Sequence, residues 1–163
     1  MSRHSIKQKI LKEGDLINID VSAELNGFWA DNGASFVLGK DINQHQKLVE
    51  ASKEILRKAI NNIKGGVKIA DIGHLIETEA KKRGYKVIKN LGGHGIGRSL
   101  HEHPEELLNY KNRFDQRLFK KIRLLLLKPL FQHPRLTLQN LTTDGQWLVT
   151  MVATWRNMNI LFW

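Results

Sequence analysis

Asp20 and Asp31 stand eleven residues apart on either side of Asn26-Gly27, and His94 and His101 lie seven apart in the glycine-rich stretch LGGHGIGRSLHEHP, residues 91–104. If a hairpin turns near Asn26, the two aspartates become cross-strand neighbours that face one another. Carboxylates so placed repel unless a proton or a cation lies between them, and a divalent metal is the natural guest. The alternative is that one of them points to solvent through a bulge. His94 sits between glycines, where the backbone can approach a ligand closely. A phosphate loop is the weaker reading, because GGHGIG lacks the following Lys-Ser/Thr pair and meets the dinucleotide fingerprint only loosely. A structural histidine in a turn stays open, and so does a second metal cluster in HEHP, since His101 and His103 share a face if that segment is a strand.

The elements that must position these residues follow from patterning. EGDLINIDVSAELNGFWADNGASFVLG alternates about the turn former Asn26-Gly27, which predicts two antiparallel arms, 16–25 and 28–37. Asn43 is a candidate cap for a helix running to about Ile63, with Leu48, Ala51, Ile55, Ala59 and Ile63 on one stripe. A second helix is expected over about 69–83, burying Ile72, Leu75, Ile76 and Ala80, with Gly84 stopping it before a short strand in YKVI. After Lys121 the texture changes. Residues 122–163 hold one acidic residue, Asp144, and three of the four tryptophans, and LLLL followed by Lys-Pro suits neither an amphipathic helix nor a bounded strand.

A chain of 163 residues suits one domain. It has no cysteine, so disulfides and thiolate metal sites are excluded and any metal must sit on carboxylates and imidazoles. No apolar run reaches membrane-spanning length and the first residues lack the apolar core of a signal peptide, which together predict a cytoplasmic protein without a membrane partner. The formal charge of +10 raises the possibility of nucleic acid or ribosome contact, but the lysines are spread over polar helix faces and predict a solvated surface with no specific nucleic acid partner.

Taken together, INIDVSAELNGFWADNGASF followed after two helices by GGHGIGRSLHEHP resembles the type I methionine aminopeptidases of the bacterial kind, from about Ile10 to Lys121. The resemblance implies an α/β (α+β) pita-bread fold, an antiparallel sheet with helices on one face. It implies metal-dependent removal of the initiator methionine from nascent polypeptides by a monomer working close to the ribosome. It also implies two divalent cations, drawn from Co, Mn, Fe, Zn or Ni, held by two aspartates, a histidine and two glutamates. Asp20, Asp31 and His94 match the first three ligands, and His101 matches the histidine that contacts substrate and stabilises the tetrahedral intermediate. His4, in RHSIK, is a weak candidate for a further substrate-binding histidine of the family. The family's N-terminal segment, with its helices and part of the methionine pocket, is expected to be missing.

Both glutamate ligands should fall after Lys121, yet residues 122–163 contain none. Reading the last base of each codon with the first two of the next turns Met158-Asn159 into GAA, glutamate, whichever codons are used. A second glutamate is permitted across Leu127-Lys128, 31 positions earlier, which is the family's separation. The expectation is therefore a partial catalytic domain over 1–121, a frameshift near Lys120-Lys121, and an out-of-frame tail over 122–163 without a reliable fold. Such a chain should hold one metal weakly or none and show impaired activity or none. The rival is a non-catalytic ribosome- or RNA-associated binding module of the same fold, against which the retention of Asp20, Asp31, His94 and His101 argues.

Overall fold

Asn26 and Gly27 both adopt positive φ, 53° and 77°, the combination that a two-residue type I′ hairpin loop requires. They close β1 (Leu16–Leu25) onto β2 (Phe28–Val37), the arms expected from the alternation. The register differs from expectation. With both turn residues in the loop, its centre lies between them, so Asp20 stands opposite Gly33 and Asp31 opposite Ser22. The two aspartates are diagonal neighbours on one face, not a facing pair.

The structure, a computed structural model, describes residues 10–120, 125–127 and 131–132. The hairpin is followed by α1 (Gln46–Asn62), α2 (Ile69–Lys82), β3 (Lys86–Val87), β4 (Gly92–Gly95), β5 (Glu102–Leu108), β6 (Leu125–Leu126) and β7 (Phe131–Gln132). The class is α+β with small antiparallel sheets. β1 pairs with β2, β3 with β7, and β4 lies between β5 and β6. Among the described residues no helix is long and apolar enough to cross a membrane.

The expected helical stripes are the buried ones: Leu48, Ala51, Ile55 and Ala59 on α1 with Ile63 just beyond it, and Ile72, Ile76 and Ala80 on α2, with Leu75 half-buried against them. The start of α1 is a correction. Its first backbone N–H groups, on His45 and Gln46, donate to the Asp41 carboxylate at 2.7 and 3.0 Å, while the Asn43 side chain donates instead to Gly14 O. An acceptor two residues upstream of Asn43 does the capping because Gln44, at φ 58°, folds the loop back on itself.

Glu79 pins the two helices together. Its buried carboxylate accepts from Lys58 of α1 at 2.9 Å, from Lys82 at 3.0 Å and from Arg83 at 2.8 Å, and Arg83 also reaches Glu54 of α1 at 3.2 Å. These hydrogen bonds, Arg83's first, hold the Glu79 pKa down at about 2. The stretch after Lys121 is not wholly irregular: Leu125, Leu127 and Phe131 are buried in the same core as Ile55, Ile76 and Leu107, so that core draws on both sides of position 121. Strands of two residues are too short for their periodicity to be read in sequence.

Candidate metal centre

The β4 strand carries His94 through an irregular pairing. Gly93 stands opposite Leu107 but Gly95 opposite Glu102, so the register slips around the histidine, as bulges do where a side chain is re-aimed. No side chain fits at Gly95, where a Cβ would stand 2.5 Å from His103 O and 2.7 Å from Glu102 O. The buried His94 ring places Nδ1 2.9 Å from Gly95 O. A carbonyl only accepts, so Nδ1 carries a proton, and in the neutral ring Nε2 keeps its lone pair.

That Nε2 lies 3.9 Å from Oδ2 of Asp31, which is itself buried. Two donors each about 2.1 Å from one ion stand at most about 4.2 Å apart, so the pair fits a shared cation. The His101 ring stacks on His94 with centroids 4.0 Å apart at 35°. Asp20 lies on the same face of the hairpin as Asp31, and its carboxylate occupies the space a side chain at Gly33 would fill: a Cβ there would meet Asp20 Oδ1 at 2.9 Å.

The structure thus brings Asp31 beside His94 and His94 beside His101, and places Asp20 on the same face of the hairpin as Asp31. Among the described residues no group of three or more His, Cys, Asp or Glu is placed to hold a metal. The HEHP segment forms no such cluster either, because His103 is 78 % exposed and faces Glu105 at 3.6 Å. His4 lies outside the described residues.

Two contacts that no local pattern announces join the hairpin to the histidine segment. Trp29 N donates to Gly97 O at 2.7 Å, and the Arg98 guanidinium lies 4.0 Å over the Phe28 ring. They fasten the hairpin tip just past His94 and so hold Asp31, two residues after Trp29, beside the imidazole. The partners are separated by about seventy positions in sequence, with only the chance pairing of an aromatic and a cation to suggest the contact.

Residues 2–137 match metallopeptidase family M24. The chain belongs to that family. It is 46% identical over 121 residues to methionine aminopeptidase 2 of Bacillus subtilis, a match that takes in 74% of this chain and 49% of the relative. It is 41% identical over 123 residues to a methionine aminopeptidase of Staphylococcus epidermidis, covering 75% of this chain and again 49% of the relative. The chain therefore spans about half the length of these curated relatives. Among solved structures, the methionine aminopeptidase of Thermotoga maritima superposes with a TM-score of 0.74 at 30% identity, over 90% of this chain and 59% of that one. The methionine aminopeptidase of Rickettsia prowazekii gives 0.75 at 28%, over 90% and 60%. The expected pita-bread fold is the one these structures share. Membership of a metallopeptidase family implies use of a divalent metal.

Proposed function

We propose that this chain carries part of a methionine aminopeptidase active site, acting on the N-terminal methionine of nascent polypeptides near the ribosome in the cytoplasm. The observation that carries the reading is the convergence of Asp31, His94 and His101 in a chain 46% identical to a methionine aminopeptidase. Asp31 and His94, with Asp20 along the same face, would hold divalent metal. When bound, such cations lower the pKa of water and polarise a carbonyl. Asp31 contributes charge from a buried position, where it acts through a low dielectric. His94 presents Nε2 because Gly95 O fixes its tautomer. His101, more exposed and stacked on His94, is the group placed to donate a hydrogen bond where negative charge develops on the substrate.

The same reading predicts little or no turnover by these 163 residues. The two glutamates that the family resemblance demands are missing from 122–163, which leaves at most a loosely held single metal and removes the group expected to handle the proton of the attacking water. We attribute the loss to a frameshift near Lys120-Lys121, with an out-of-frame tail beyond it. Sequencing the DNA across codons 118–130 tests the frame, and the lack of an open family-like frame there refutes it. Hydrolysis of a Met-Ala-Ser peptide with manganese or cobalt tests the activity. Ordinary turnover overturns the inactive reading, and turnover that ignores the N-terminal residue overturns the substrate.

A further inference from the structure

Residues 97–101, which end in His101, belong to no helix or strand. The exposed His101 ring stacks on His94, but a ring contact alone is too weak to order a loop of this length against its conformational entropy. The place of the ring is therefore decided by what holds the backbone beneath it. That holder is the glutamate of the HEHP segment. Half-buried Glu102 accepts the Ser99 N–H on Oε1 at 2.9 Å, a bond strengthened by the acceptor's charge, and closes 99–102 into a turn with Leu100 and His101 at its middle.

Both carboxylate oxygens also fill the space that Gly97 leaves by having no side chain: a Cβ there would stand 2.8 Å from Oε2 and 3.1 Å from Oε1. Gly97 O in turn accepts from Trp29 N at 2.7 Å, so the same point of the loop bears the hairpin tip that leads to Asp31. At its other end Glu102 pairs with Gly95, the residue after His94, in the β4–β5 ladder. The carboxylate is thus rooted in the strands that carry one histidine and grips the loop that carries the other. We propose that Glu102 is a positioning residue for His101: seated against Gly97 and bonded to Ser99, it holds the 97–101 loop so that the His101 ring lies on His94. The inference rests on the reading of His101 as the donor that faces substrate, which gives the placement its purpose, but the geometry of the two rings is measured without any turnover.

The test is the proton–carbon correlation spectrum of the histidine rings in the intact 163-residue chain, recorded at about pH 8.5, above the ordinary imidazole range. His101→Ala sets the scale, because it displaces the His94 ring resonances by the whole effect of losing the stack. Glu102→Ala is expected to move them the same way by at least about half as much, and to add little to His101→Ala in the double variant. Glu102→Gln keeps an oxygen of equal reach for Ser99 and is expected to leave them within about a fifth of that displacement. Gly97→Ala, whose Cβ expels the carboxylate, is expected to act as Glu102→Ala does, and it decides the matter should Glu102→Ala lose its far-ultraviolet circular dichroism. Unmoved His94 resonances in Glu102→Ala and Gly97→Ala overturn the proposal. So does a displacement as large in Glu102→Gln as in Glu102→Ala. Neither result touches the aminopeptidase reading, which the Met-Ala-Ser assay tests by itself.

Discussion

Replacing Glu79 by glutamine keeps the shape of the side chain and removes the charge at the centre of the α1–α2 clamp. A carboxyl group brought from 4.5 down to about 2 by folding contributes up to about 3.4 kcal/mol at neutral pH. Its cations remain partly in water, Lys58 49% exposed, Lys82 64% and Arg83 31%, so solvent screening brings the expected loss to about 2 kcal/mol. The folded pKa is the lower one. The contribution is therefore full above about 4.5 and is lost as the pH falls towards 2, with less than half remaining near pH 3. Urea unfolding of the wild type and of Glu79→Gln, followed by circular dichroism at pH 7 and at pH 3, reads both numbers, and at pH 7 the midpoint should drop by about 1 M. A stability difference equal at the two pH values would show that the glutamate acts through packing, and a difference under about 0.5 kcal/mol at pH 7 would show that its ion pairs are no stronger than ordinary surface ones.

Other substitutions probe the site and its supports. Gly33→Val drives a side chain into the space held by the Asp20 carboxylate and should weaken manganese binding by about tenfold in calorimetry while strand content is unchanged; unaltered affinity would remove Asp20 from the ligand set. Arg98→Ala removes the cation over Phe28 and should lower stability by about 0.5–1 kcal/mol, with faster hydrogen exchange at the Trp29 amide as the hairpin tip loosens; unchanged exchange there would show that the Trp29–Gly97 hydrogen bond suffices. Asp41→Ala leaves the N–H groups of His45 and Gln46 without their acceptor and should destabilise the fold by about 1 kcal/mol in thermal unfolding, whereas Asn43→Ala, if Asp41 is the cap, should leave the helix start intact.

Much of the scaffold is legible in the residues themselves. Asn26-Gly27 between alternating arms dictates the hairpin, and the stripes of α1 and α2 name their buried residues. What is lost is what depends on a single position or on a distant partner. Moving the turn centre by one residue moves every cross-strand partner by two, which is why Asp20 faces Gly33 and not Asp31. Asn43 has the chemistry of a cap, yet the backbone at Gln44 gives that task to Asp41. The types of the site residues, paired aspartates and a glycine-flanked histidine, are visible from the start. Their convergence rests on Trp29, Gly97, Arg98 and Phe28, whose meeting is a tertiary event that no periodicity records.

Asp31 and His94 belong to different sheets, which the Trp29–Gly97 hydrogen bond joins at the hairpin tip. Any ligand grasped by both is consequently a strut between two bodies that otherwise lean on each other. Its capture should stiffen the hairpin far from the point of contact, and slower amide exchange along β1 would register occupancy even in a protein that turns over nothing.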